Sequence, residues 1–143
     1  MTQTQVDTLN KTATNILAEL ENKEKNLNFE TDLSPKEQSI VAFSILNGQL
    51  TQGGFLQFLH NGYAAFLLPM IEYLQQEKVT DAVNILDEVL KEYSLHHIRI
   101  DAPDTAKAFA QLYPDFPQFD TLEHRWNEVK LKVYQLFFPE ETT

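Results

Sequence analysis

Four histidines, His60, His96, His97 and His124, and four serines, Ser34, Ser39, Ser44 and Ser94, are the raw material for a metal site or a nucleophilic centre, because the chain contains no cysteine. Neighbouring His96 and His97 would project about 100° apart on a helix, so they cannot grip one ion from regular helix. Neither a His-x-x-x-His pair nor the Glu-x-x-His of di-iron bundles occurs. No serine sits in a nucleophile-elbow context, and Ser34 reads as a helix cap. Gly53-Gly54 lacks the lysine and Ser/Thr of a phosphate loop and the three spaced glycines of a dinucleotide loop. No catalytic residue, metal or cofactor is expected.

Carboxylates are the remaining chemistry. The chain carries 21 acidic and 11 basic residues, a formal net charge of -10. The excess is spread evenly: seven acidic against four basic in residues 1–50, six against three in 51–100, eight against four in 101–143. A polyanionic surface repels nucleic acid and anionic membrane, so direct binding to either is not expected. On a helix over residues 81–93, Asp81, Asn84, Glu88 and Glu92 fall on one polar face, with Asp87 four residues from Lys91 and able to pair with it. The stripe is read as an unpaired anionic row, open to two uses: a surface for a basic partner, or a solvated face that keeps the protein soluble. Carboxylates at i, i+4 lie about 5 to 6 Å apart, the same order as phosphates along a nucleic-acid strand. With Glu77 and Asp87 as neighbours, Asp81, Glu88 and Glu92 are the candidate partner-binding residues.

The elements that must position this stripe are helical. Apolar residues recur at helical spacing almost throughout, with four glycines in 143 residues, 43% hydrophobic and 11% aromatic. This predicts one compact all-α domain over 1–143, a bundle of about six or seven helices. No apolar run approaches the roughly 18 residues that span a bilayer, and the first residues lack a secretory pattern, so a cytoplasmic protein is expected. A first helix is expected from about Val6 to Lys25. Ser34-Pro35-Lys36-Glu37 combines an N-cap, a proline at the first helical position and a capping-box glutamate, and starts the second. Gly53-Gly54 is read as a tight corner, after which Phe55 to His60 form a short helix ended by Asn61-Gly62. Pro69 marks a kink or a helix start near Leu68. Thr80 is expected to cap a helix to about Tyr93, Ile98 to Pro103 look extended, and Asp101 could cap a helix over 102–112. The last helix starts at Asp120 or Thr121 and carries Leu122, Trp126, Val129, Val133 and Phe137 inward, with Glu128 and Lys132 balancing each other.

With these helices placed, DLSPKEQSIVAF, QGGFLQFLHN, AVNILDEVLKEY and FDTLEHRW together resemble the bacterial DNA-mimic protein family first recognised in Neisseria. The resemblance spans residues 33–137 and centres on Gly53, Gly54, Phe55, Gln57, Phe58 and Asn61, a Gly-Gly-Phe-x-Gln-Phe-x-x-Asn skeleton. Gln52 stands where the family usually has asparagine. The resemblance implies an all-helical, often dimeric domain without established enzymatic activity, in which surface carboxylates imitate DNA phosphates and occupy the DNA-binding face of a transcriptional repressor. In the corner itself, Phe55 and Phe58 are expected to enter the core, and Gln57 and Asn61 to satisfy backbone groups freed by the break.

Two functions follow as expectations. One is a non-enzymatic DNA mimic that inhibits a DNA-binding protein. The alternative is an immunity or antitoxin protein that blocks a cognate basic toxin. Both require a basic protein partner.

Overall fold

A computed structural model describes residues 1–21 and 28–141. Among them are seven α-helices: α1 (Gln3–Leu20), α2 (Phe29–Asp32), α3 (Pro35–His60), α4 (Leu67–Gln76), α5 (Thr80–Asp101), α6 (Ala106–Ala110) and α7 (Gln118–Phe137), with short 3-10 turns at Ala64–Phe66, Tyr113–Asp115 and Pro139–Glu141. Among the described residues no strand occurs and no helix is long and apolar enough to cross a membrane. The fold is all-α, as the apolar periodicity requires.

Helix starts follow their caps. At α3 the Ser34 hydroxyl accepts from the Glu37 amide at 3.1 Å and Glu37 Oε1 accepts from the Ser34 amide at 3.0 Å, with Pro35 at the first position. A second capping box, between Thr2 and Gln5, starts α1 earlier than the expected Val6. The expected end of α1 at Lys25 lies outside the described residues. Pro69 falls in the first turn of α4, where its missing N–H costs no helical hydrogen bond, so this helix begins at Leu67 without a kink at the proline.

Helix ends are closed by tight turns. Gly62, at φ 87, follows α3; the Gly62 and Tyr63 amides return to the Leu59 and Phe58 carbonyls, and the Tyr63 ring packs on Phe58 at 5.8 Å. This is a Schellman closure with its hydrophobic contact. Lys78 ends α4 in the same way at φ 62, its amide bonding to Gln75 and that of buried Val79 to Leu74. The chain thereby passes straight into α5, with Val79 at the N-cap and no side-chain cap; Thr80 is the first helical residue rather than the expected cap.

Two boundaries in the second half differ from expectation. α5 continues eight residues past Tyr93, to Asp101, and so takes in the first four residues of the Ile98 to Pro103 stretch that reads as extended. Ile100 is fully buried there, and the Tyr93 hydroxyl donates to Asp101 at 2.7 Å, so one apolar anchor and one hydrogen bond hold the last turns against the β-branched preference of Ile98 and Ile100. Asp101 is thus engaged by Tyr93, and Thr105 caps α6 through the Ala108 amide. The last helix begins at Gln118, two residues before Asp120.

α3 is the central element, in contact with α1, α4, α5 and α7. The core it organises holds Phe43, Phe55, Phe58, Trp126 and Tyr134 at zero exposure, and Phe43 meets the Trp126 ring edge-on at 6.1 Å. On α5, Val83, Leu86 and Val89 are buried; on α7, Leu122, Trp126, Val133 and Phe137 are buried and Val129 half-buried.

A left-handed lysine carries a backbone cost of about 1 kcal/mol that glycine avoids, partly offset by glycine's larger unfolded-state entropy. Lys78→Gly is therefore expected to raise the unfolding free energy by about 0.5 kcal/mol, measured by urea denaturation; a loss of stability would contradict the assigned turn.

Candidate functional site

Helix α3 is regular except at Gly54, whose φ of 79 and ψ of -169 lie in a region open essentially to glycine alone. The break frees backbone groups on either side. The Phe55 amide donates to Glu123 Oε1 at 2.8 Å, and the Gly53 carbonyl accepts the Tyr113 hydroxyl at 2.5 Å. Both partners come from more than 50 residues downstream. A Cβ at Gly54 would lie 1.9 Å from Glu123 Oε1, so the glycine provides the passage through which α7 reaches the broken helix.

Gly53, Gly54, Phe55 and Phe58 thus form the expected corner, with Phe55 and Phe58 fully buried. Gln57 and Asn61 do something other than expected. Gln57 Nε2 donates to Gln49 and Gln52 at 3.3 and 3.1 Å, and Asn61 Nδ2 to Gln49 at 2.7 Å. They build a side-chain amide cluster along the helix, because Glu123 and Tyr113 already take the freed backbone groups. Sequence reasoning missed Glu123 and Tyr113. The only signal for either was FDTLEHRW, which places a carboxylate between Leu122 and Trp126, both inward-facing.

Glu123 is half-buried, and burial pushes its carboxyl up; the Phe55 N–H pulls it down, nearby Asp120 raises it and His124 lowers it. Burial of Tyr113, with Glu123 and Asp120 nearby, likewise raises the phenol. The net effect at Glu123 is a proton held more tightly in the folded than in the unfolded chain.

The acidic candidates lie where α5 and α7 run antiparallel. Asp81 meets Lys132 at 2.6 Å, Glu88 meets Arg125 at 2.8 Å, Glu92 accepts from Gln118 at 3.1 Å, and Arg99 meets Asp115 at 2.7 Å. Each step up α5 is a step down the opposing segment, so four pairs form one ladder. The expected unpaired stripe is therefore a braced one. Asp81, Glu88 and Glu92 sit on the α5 flank beside α7, a relation that spacing within α5 does not encode. Lys132 reaches across to Asp81 rather than to Glu128 on its own helix, and its hydrogen bond is the main cause that lowers the Asp81 carboxyl. Asp87 and Lys91 form no ion pair with each other, and Glu77 and Asp87 are exposed without an ion pair among the described residues. Two of the three braced carboxylates remain accessible, with the Glu88 and Asp81 side chains 53% and 42% exposed, while Glu92 is 27% exposed.

The histidines are spent on structure. His60 bonds the Ile100 carbonyl at 2.8 Å and stacks on Phe109; His96 lies 3.5 Å from Glu92 and edge-on to Phe116; His97 and His124 bond carbonyls of their own helices. Among the described residues no group of three or more metal-ligating side chains could hold an ion.

The fold and its best-organised surface define an acidic all-helical protein whose ionised side chains are arrayed between two antiparallel helices. Residues 31–137 match the family of DMP19-like proteins, and the chain belongs to that family. It is similar to the DNA mimic protein DMP19 of Neisseria meningitidis serogroup B, at 26% identity over 99 residues that cover 67% of this chain and 60% of that protein. The match thus spans three fifths of that relative. No solved structure matches the chain.

Two predictions follow from the geometry. Exposed ion pairs are worth up to about 1 kcal/mol and are screened by salt. Arg125→Gln and Lys132→Gln should therefore each destabilise the fold by less than about 1 kcal/mol at low ionic strength, with the difference vanishing at high salt. For Glu123 the raised carboxyl means that its ionisation opposes folding: the contribution is fully present below the unfolded-state value and is lost as pH rises through the higher folded value. Glu123→Gln, a permanently neutral acceptor, should then gain stability relative to the parent as pH rises through that window. Parallel stability curves for the two proteins across acidic to neutral pH would contradict the burial of Glu123.

Proposed function

We propose that this protein is a non-enzymatic binding protein that mimics DNA and inhibits a DNA-binding protein such as a transcriptional repressor. The observation that carries the reading is membership of the DMP19-like family, with similarity to a protein named a DNA mimic, in a chain of net charge -10. The acidic row supports it. Asp81, Glu88 and Glu92 lie along one helix flank, and their α7 partners limit the rotamer freedom that a loose carboxylate would lose on binding. Glu77 and Asp87 are exposed and contribute charge that no ion pair among the described residues engages.

The partner is a basic protein surface shaped to hold a phosphate row. Long-range attraction between that surface and the acidic face sets the association rate and weakens steeply with salt. Arg125 and Lys132 would then compete with the partner's own cations for Glu88 and Asp81. A regulator of this kind would be met in the cytoplasm.

The test is capture from the native host at low salt, followed by elution with rising salt and, separately, with duplex DNA. A DNA-binding protein released by both is expected. Against that isolated protein, Asp87→Lys with Glu77→Lys should slow association at least about tenfold, whereas Arg125→Gln should leave it unchanged or faster. A partner indifferent to salt and to duplex DNA would contradict the reading.

A further inference from the structure

A second surface has a different character from the acidic row. Where α2 meets the starts of α3 and α4, a groove of about 380 Å³ is lined by Phe29, Phe66, Leu68 and Pro69, with Glu30 and Glu72 also lining it. Its walls are fixed. The Phe29 and Phe66 rings meet edge-on at 5.6 Å, and Gln38 donates to the Glu30 and Leu33 carbonyls at 3.2 and 3.1 Å, tying α2 to α3. Leu68 is 61% exposed on this surface, an apolar side chain in water with no structural role in the core. The Glu30 and Glu72 carboxylates are exposed and make no hydrogen bond or ion pair among the described residues.

We propose that this groove docks a cationic amphipathic segment of a protein partner, seating one large apolar side chain against Phe29, Phe66 and Leu68 while flanking Lys or Arg residues pair with Glu30 and Glu72. Charge chooses the occupant. An apolar centre with a polar rim is the anatomy of a protein-recognition site, and here the rim carries two carboxylates that form no ion pair among the described residues. A second copy of this chain is disfavoured, because a twofold contact through the groove would set one acidic pair against another on molecules of net charge -10. The proposal does not rest on DNA mimicry: phosphate imitation needs charge alone, whereas this groove offers apolar area that DNA backbone lacks.

The test uses the full chain and three labelled synthetic peptides, read by fluorescence anisotropy and by backbone amide NMR. One peptide is helical with leucines at i, i+3 and i+7 and lysines around them. The second replaces its lysines by glutamates, and the third keeps the lysines but replaces its leucines by alanine. The first alone should bind, shifting the Phe29, Phe66 and Leu68 signals. Leu68→Asp, a surface change whose folding is checked by its melting curve, should weaken it at least about tenfold. The Glu30→Gln, Glu72→Gln double variant should remove most of the salt dependence. Absence of binding, equal binding of the leucine-free peptide, or indifference to Leu68→Asp would overturn the proposal. So would a self-associated protein that Leu68→Asp converts to monomer, which would make a second copy the occupant.

Discussion

One hydrogen bond across the molecule sets the rest in place: the Phe55 amide, freed where α3 breaks at Gly54, is accepted by the Glu123 carboxylate of α7. A buried backbone donor left without an acceptor costs on the order of 1 to 3 kcal/mol, so the break requires a partner brought from elsewhere. α7 supplies it, and the absence of a Cβ at Gly54 lets the carboxylate approach. With Glu123 fixed, Leu122 and Trp126 on either side enter the core, and Arg125 and Lys132 on the adjoining flank meet Glu88 and Asp81 of α5. The glycine corner and the charged ladder are thus two faces of one helix placement.

That connection recasts the acidic surface. A carboxylate row on a free helix face would be a set of independent point charges on mobile side chains. Here three of the five candidate residues are held by α7, which limits their motion and reduces their outward field at once. Net negative charge survives because acidic residues outnumber basic ones throughout the chain. The carboxylates of Glu77 and Asp87 on one surface, and of Glu30 and Glu72 on another, form no ion pair among the described residues and belong to that excess. The molecule therefore offers two different acidic surfaces, one a braced row and one framing an apolar groove.

Much of the fold was legible because its signals are local. Ser34, Pro35 and Glu37 state a helix start within four residues, and the periodic apolar positions of α5 and α7 name their buried faces. The boundaries that differed are tertiary. Ile98 to Pro103 read as extended, yet burial of Ile100 keeps the stretch helical as far as Asp101; Thr80 looks like a cap, yet the turn at Lys78 leaves it inside the helix. The site was legible only in part. Spacing on α5 gathers Asp81, Glu88 and Glu92 on one flank, but their α7 partners, two cations and the Gln118 amide, lie 26 to 51 residues away in sequence, as Glu123 lies 68 residues from Phe55. No spacing rule within a helix carries such pairings.

The measurement that tests this account most directly is NMR of the Phe55 amide proton as a function of pH, with its hydrogen-exchange rate. If Glu123 closes the break, that proton exchanges slowly and its chemical shift follows a single titration above the ordinary glutamate value, a response abolished in Glu123→Gln. A Phe55 amide that exchanges as fast as an exposed loop, or whose shift ignores the Glu123 titration, would contradict the closure on which the placement of α7 and its ladder depends.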